Sequence, residues 1–121
     1  MSLVRRTAAL AGLSATAVVA MALPAQAATG TWEITVAYCN VKQQVQLQGS
    51  PQHDYMRYYT NGGSKDCRAW IFNPTTKGSI AEVEITTNGA YYSKWYYNGP
   101  EYEMQVCVNG PSGQLGCGPI N

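Results

Sequence analysis

From residue 31 onward, apolar and polar residues alternate in short runs that are separated by turn-forming residues. Successive side chains of a β-strand point to opposite faces, so this alternation predicts strands with one buried face. The run 31–36 alternates regularly and places Trp32, Ile34 and Val36 on one face. The run 41–48 is weaker and places Val45 and Leu47 on one face, with glutamines opposite. Both runs are therefore predicted to be half-buried strands.

Turn signals predict how the next strands pair. The runs 55–60 and 67–72 flank a Gly-rich turn cluster, so 55–72 is expected to form a hairpin. Asn88-Gly89 is the dipeptide favoured in tight type I′ hairpins. It predicts that the run 80–87 pairs with the run 90–97.

The last long run, 101–108, alternates cleanly and is predicted to place four apolar residues inward: Tyr102, Met104, Val106 and Val108. After residue 27 the chain contains no amphipathic helical stretch. Six or seven short strands separated by turns predict an all-β fold, a single small antiparallel β-sandwich or barrel.

The first 27 residues have a different pattern. Arg5-Arg6 precedes an apolar run from Ala8 to Leu23, and the small residues Ala25 and Ala27 follow. This order is typical of a cleaved secretory signal peptide. We therefore expect residues 1–27 to be removed and 28–121 to form one secreted, extracellular domain with no membrane span. A membrane anchor is the alternative, but the apolar run is short and interrupted.

Removal of the first segment changes the charge balance. Two of the eight Lys and Arg residues are Arg5 and Arg6, which leaves six cations against all seven Asp and Glu residues. A near-neutral domain lacks the concentrated basic face that nucleic-acid binding needs. It also lacks a polybasic membrane tether. The export route stays open between Sec and Tat, although the residues after Arg6 favour Sec.

All four cysteines, Cys39, Cys67, Cys107 and Cys117, lie in the expected mature domain. An even number in a short exported chain predicts disulfides, for which three pairings are possible. We favour Cys107–Cys117, because the residues between them must turn and return the chain, and hence Cys39–Cys67. A zinc site is disfavoured, because no closely spaced cysteine pair is present.

Candidate catalytic chemistry is sparse. The single histidine, His53, precedes Asp54 in an expected loop, and no nucleophile motif accompanies it. The acidic pairs Glu82/Glu84 and Glu101/Glu103 each share one strand face and are interpreted as solvent-facing. The protein is therefore expected not to be an enzyme and to need no metal or cofactor.

Aromatic residues are the unusual feature, with nine Tyr, three Trp and one Phe. Five of them lie within 91–97, and a regular strand would place Tyr91, Trp95 and Tyr97 on one face and Tyr92 and Tyr96 on the other. We expect Trp95 in the core and a contact surface of Tyr92, Lys94 and Tyr96. The alternative is that tyrosine only fills outer strand positions, where its β propensity is high.

The segment from Tyr55 to Gly118 carries an aromatic strand, a Gly-Ser-Lys-Asp-Cys turn, the run Trp95-Tyr96-Tyr97-Asn98-Gly99-Pro100, and a strand with Cys107 before Cys117. This pattern resembles the small exported spore-associated protein family of actinomycetes. The resemblance implies an exported, surface-associated protein and carries over no catalytic residues. Asn98 and the short loop between Cys107 and Cys117 depart from that pattern.

Three functions remain open from the sequence. The first is a non-enzymatic exported protein on a spore, a cell surface or in the medium that acts by binding a protein or a cell-surface polymer. The second is a protein-binding module, either an inhibitor of an extracellular hydrolase or an adaptor, with 110–115 as a rigid presenting loop. The third is carbohydrate binding through Tyr91, Trp95 and Tyr97.

Overall fold

The structure, a computed structural model, describes residues 28–121, and the predicted signal peptide lies outside the described residues. The described part is all-β, as the alternating pattern predicted, and contains no helix. Three of its nine strands have only two or three residues. The strands are β1 (Gly30–Val36), β2 (Cys39–Gln48), β3 (His53–Thr60), β4 (Arg68–Asn73), β5 (Gly78–Glu84), β6 (Tyr91–Tyr92), β7 (Tyr96–Tyr97), β8 (Gln105–Asn109) and β9 (Leu115–Cys117).

The strands form two antiparallel sheets. The first sheet has the order β1-β2-β3-β6, and β7 also pairs with β3. The second has the order β5-β4-β8-β9. The chain therefore passes from the first sheet to the second after β3, returns after β5, and crosses again after β7.

The core lies between the two sheets and is formed by the apolar residues that alternate inward from both. Ile34 and Val36 are buried on β1, which confirms the predicted face of that strand. Val106 and Val108 are fully buried on β8. Tyr102 was also predicted to face inward but is 52% exposed, because the strand begins only at Gln105.

Both predicted hairpins are wrong. The segments 55–60 and 67–72 belong to different sheets, because β3 pairs with β2 and β4 pairs with β5 and β8. The segment 90–97 does not pair with 80–87 but adds β6 and β7 to β3. A type I′ turn needs positive φ at both central residues, and neither Asn88 nor Gly89 has it. These turns thus carry the chain between sheets rather than along one sheet.

Both favoured disulfides are present, Cys39–Cys67 and Cys107–Cys117. Cys39 begins β2 of the first sheet, and Cys67 immediately precedes β4 of the second, so their bond connects the two layers. Cys107 and Cys117 stand opposite each other on β8 and β9. The first disulfide therefore crosslinks the sheets, and the second fastens the last strand within its own sheet.

One glutamine departs from the predicted alternation of β2. Gln43 is fully buried between Val41 and Val45 on the inner face, whereas Leu47, predicted inward, is 48% exposed. The Gln43 amide spans the interior: its Oε1 accepts a hydrogen bond of 2.7 Å from the Val106 backbone N–H, and its Nε2 donates one of 2.9 Å to the Pro119 carbonyl. A buried polar group is tolerated here because both ends of its amide are paired.

Residues 28–121 include no helix long and apolar enough to cross a membrane.

Candidate functional site

The aromatic segment 91–97 does not form one continuous strand. Tyr92 pairs with Tyr59, and Tyr96 pairs with Met56. Three residues (93–95) on this segment therefore stand opposite two residues (57–58) on β3, which is the arrangement of a β-bulge. Ser93 holds the bulge, because its N–H donates to the Tyr58 carbonyl and its Oγ accepts from the Tyr58 N–H.

The extra residue reverses the side-chain alternation after Ser93. Tyr91 and Tyr96 both pack against the buried core. Tyr92 is 56% exposed and Tyr97 is 37% exposed on the outer side of the sheet. The expectation that Tyr91 and Tyr97 share one face, and Tyr92 and Tyr96 the other, is therefore wrong.

Trp95 is also not in the core, contrary to expectation. It lies in the bulge, and its ring faces the guanidinium of Arg57 on the outer side of the sheet, with Cζ 4.6 Å from the ring centroid. The predicted contact surface of Tyr92, Lys94 and Tyr96 is correspondingly changed. Tyr92 and Lys94 are exposed, whereas Tyr96 packs against the core. Trp95, instead of Tyr96, lies on the outer side of the sheet.

Three aromatic rings surround Arg57 on the outer face of the first sheet. Its Cζ lies 5.3 Å from the Tyr59 centroid and 5.0 Å from the Tyr92 centroid, in addition to its contact with Trp95. Tyr59 and Tyr92 are cross-strand partners whose rings stack at 5.4 Å and 6°. These four residues, Arg57, Tyr59, Tyr92 and Trp95, are called the Arg57 cluster below. Cation–π contacts hold its side chains in one arrangement.

A second aromatic group extends the same face toward the start of β3. Tyr97 makes edge-on contacts with His53, Tyr55 and Tyr102, at centroid distances of 5.3, 5.7 and 5.4 Å. Together with the Arg57 cluster, these four residues form what we call the aromatic face. Edge-on ring packing stabilises each pair beyond its buried area. The aromatic face thus consists of two groups of rings along β3, and the members of each group contact one another.

Polar groups border the aromatic face along β2. Gln44 stands opposite Arg57, and its Oε1 accepts a hydrogen bond of 2.9 Å from the Arg57 Nε. Gln46 stands opposite Tyr55 and is exposed. The face thus places amide groups beside aromatic rings, and Gln44 fixes the orientation of the guanidinium.

Two core-packed tyrosines have shifted pKa values for opposite reasons. Burial raises the pKa of Tyr58 to about 12, with smaller contributions from Tyr96 and Glu82. The Tyr58 hydroxyl donates to the Ala81 carbonyl and so links β3 to β5 of the other sheet. Hydrogen bonds with Thr86 lower the pKa of Tyr91 to about 8, and the one to the Thr86 side chain has the largest effect.

Other titratable groups form surface pairs. Asn40 and Lys42 lower the pKa of the Glu33 carboxyl, and Arg68 pairs with Glu82 and Glu84 on the outer face of the second sheet. Within residues 28–121 no three His, Cys, Asp or Glu side chains are close enough to hold a metal ion. The ion pairs link neighbouring strands at the surface, where solvent screens their charges.

A cavity of about 550 Å³ opens where the β4–β5 turn meets the segment around β7. Uncharged side chains line it, among them Asn73, Ile80, Tyr96, Tyr102 and Met104. Tyr97 lines the cavity as well and also belongs to the aromatic face. The cavity therefore adjoins the aromatic face through two shared rings, those of Tyr97 and Tyr102.

Sequence reasoning identified the aromatic run but missed the residues that organise it. Arg57, Tyr59 and Tyr55 lie on β3, more than 30 positions before their partners in 92–97. The run 55–60 is itself aromatic and rich in residues of high β propensity. Its alternation, with Tyr55, Arg57 and Tyr59 on one face, was the signal that could have placed them together.

Comparison of the chain with protein-family models, with curated proteins and with solved structures finds no match.

Proposed function

We propose that the protein is an exported, non-enzymatic domain that binds a polysaccharide at a spore or cell surface or in the medium. The observation that carries this proposal is the Arg57 cluster, in which the exposed ring of Tyr92 and the half-buried rings of Tyr59 and Trp95 surround a guanidinium on a sheet face. Aromatic rings supply a large apolar contact area with little rotamer entropy to lose. The C–H faces of sugar rings pack against such rings, and adjacent amides can pair with sugar hydroxyls.

The position of Trp95 argues against mere filling of outer strand positions. β propensity accounts for tyrosines within strands. It does not account for Trp95, which lies in the bulge between β6 and β7. The bulge also turns both Tyr92 and Tyr97 outward, so it enlarges the exposed aromatic area. Bulges commonly redirect side chains at functional surfaces.

The covalent structure supports an extracellular location for this activity. Both disulfides are formed and no cysteine in residues 28–121 is free. Disulfides persist in oxidising compartments and are rare in the cytosol. This agrees with the signal pattern of the first 27 residues.

Retention on insoluble polysaccharides tests the proposal. The purified domain, 28–121, is mixed with cellulose, chitin and isolated bacterial cell walls, and bound protein is measured after washing. Soluble fragments of the retaining polymer are then titrated while Trp fluorescence is followed. Tyr92→Ala should weaken binding about thirtyfold, the equivalent of about 2 kcal/mol.

Tyr38→Ala is the matched control, because Tyr38 is 54% exposed but lies in the β1–β2 turn, outside the aromatic face. It should bind like the wild type. If no polysaccharide retains the protein and Trp fluorescence stays constant in every titration, the proposal is wrong.

A second candidate function, protein binding, is favoured by the turn between β8 and β9. Within this turn Gly110 N–H donates to the Gln114 carbonyl, and Ser112 N–H donates to the Gln114 Oε1 at 3.0 Å. The disulfide fastens its base, and Leu115 next to it is 63% exposed. A rigid loop with an exposed apolar side chain loses little entropy when it binds a partner.

Pull-down from culture supernatant tests this second candidate. Wild-type protein should capture a stoichiometric partner, and Leu115→Ala should reduce the captured amount while Tyr92→Ala does not. Absence of any stoichiometric partner would exclude it.

A further inference from the structure

We infer that the ligand of the aromatic face is an acidic polysaccharide, a polymer of uronic acid units, and that Arg57 selects it by pairing with the sugar carboxylate. This inference rests on the proposed carbohydrate binding and adds the chemical class of the ligand. It follows from the charge and the geometry of the Arg57 cluster.

The Arg57 cluster has cationic charge without a carboxylate partner. Lys42 pairs with Glu33, and Arg68 pairs with Glu82 and Glu84. Within residues 28–121, neither Arg57 nor Lys94 lies within ion-pair distance of a carboxylate. Lys94 is exposed in the bulge next to Trp95. The unpaired charge of Arg57, with that of the exposed Lys94 adjacent to Trp95 in sequence, complements a polyanion and disfavours a cationic ligand.

The hydrogen bonding of Arg57 leaves most of its donors for a ligand. Its Nε donates to Gln44, which fixes the guanidinium plane, and its terminal nitrogens donate to no other described residue. A guanidinium with its orientation fixed matches a carboxylate in a two-bond fork, whereas a lysine ammonium provides only a point charge. The Arg57 guanidinium is thus oriented to bind a planar anion such as a carboxylate.

The ring distances favour a carboxylate that is attached to a sugar. The Arg57 Cζ lies 4.6 to 5.3 Å from the three ring centroids. In a uronic acid the carboxylate carbon is bonded directly to the pyranose ring. A sugar ring packed on Tyr92 therefore brings its own carboxylate beside the guanidinium. A polymer of glycerol phosphate offers the negative charge without a ring to pack.

The test compares two polymers that differ only in the carboxyl group. Oligogalacturonate and its methyl ester are titrated against domain 28–121 by calorimetry and Trp fluorescence at 50 mM and 300 mM NaCl. Oligogalacturonate should bind at least tenfold more tightly than the ester at 50 mM salt. The preference should shrink at 300 mM, because salt screens exposed charges.

Arg57→Gln should remove the preference, so that oligogalacturonate and its methyl ester bind this variant with equal affinity. Arg57→Lys keeps the charge but loses the fork, so it should retain only part of the preference. Lys77→Gln, which makes the same charge change in the β4–β5 turn, should bind like the wild type. A thermal melt of each variant confirms that it is folded.

The outcomes separate this inference from the proposed function. Equal binding of acid and ester, or an Arg57→Gln variant that keeps the preference, overturns the inference while leaving polysaccharide binding intact. Tight binding of glycerol phosphate polymer but not of oligogalacturonate also overturns it. If neither galacturonate form binds but cellulose, chitin or cell walls retain the protein, only the ligand class is wrong. If nothing binds, both proposals fail.

Discussion

The buried amide of Gln43 provides the sharpest test of how the two sheets are held together. Gln43→Leu keeps the approximate volume, so it opens no large cavity, but it removes both hydrogen bonds of the amide. Val106 is fully buried, so its N–H loses its partner away from water. An orphaned buried donor costs about 1–3 kcal/mol. Pro119 is exposed, so its carbonyl can pair with water and adds only about 1 kcal/mol.

Leucine offsets part of this cost, because burial of its extra apolar surface contributes about 1–2 kcal/mol. The expected net effect is a free energy of unfolding about 1.5 kcal/mol lower, a roughly tenfold smaller ratio of folded to unfolded protein. Urea denaturation with intact disulfides, followed by Trp fluorescence, measures it. Faster hydrogen exchange at the Val106 amide should accompany the loss.

Gln46→Leu is the matched control, since Gln46 is an exposed glutamine on the same strand. Its effect should stay within about 0.5 kcal/mol. If Gln43→Leu is no less stable than Gln46→Leu, the amide does not stabilise the sandwich as argued.

Three further predictions concern stability. Tyr96 packs against the core and Trp95 does not, so Tyr96→Ala should lower the free energy of unfolding by about 3 kcal/mol and Trp95→Ala by about 1 kcal/mol. The reverse order in urea titrations would contradict the side-chain orientations that the bulge produces. Burial raises the pKa of Tyr58 to about 12, so this residue contributes stability that is complete below pH 10 and is lost as the pH rises toward 12. Tyr58→Phe should remove that part of the decline, and parallel wild-type and variant stability curves between pH 10 and 12 would refute it. Replacing Cys39 and Cys67 by alanines should lower the free energy of unfolding by about 3.5 kcal/mol, and replacing Cys107 and Cys117, which close a shorter loop, by about 2.7 kcal/mol. Equal losses in urea titrations would contradict the dependence on loop length.

Local patterns predicted the fold class, the inward face of β1 and the shorter disulfide. The alternation of Ile34 and Val36 needs only the pleat of one strand. Cys107 and Cys117 needed only a turn between them. These features depend on residues close in sequence, so the sequence was sufficient for them.

Strand pairing and the site depend on interactions that the sequence does not express locally. After the turn cluster before Cys67, the chain could continue in the same sheet or cross to the other sheet. The packing of the whole core decides between these two paths. The bulge adds one residue, and this shift exchanges the faces of Trp95 and Tyr96. Arg57 and Trp95 meet only after β6 and β7 pair with β3. The aromatic run was therefore visible, but its orientation was not.

The passage of the chain between layers has a consequence for the speed and order of folding. Neither sheet is built from one continuous stretch: the first draws on 30–60 and 91–97, and the second on 68–84 and 105–117. Each sheet can be completed only after distant parts of the chain have met, and folds dominated by such distant contacts reach the native state in milliseconds to seconds rather than microseconds. A nascent chain that lacks the last two strands cannot complete the second layer. Because Cys39 and Cys67 are fully buried in the folded domain, an oxidant can reach their thiols only before the core closes.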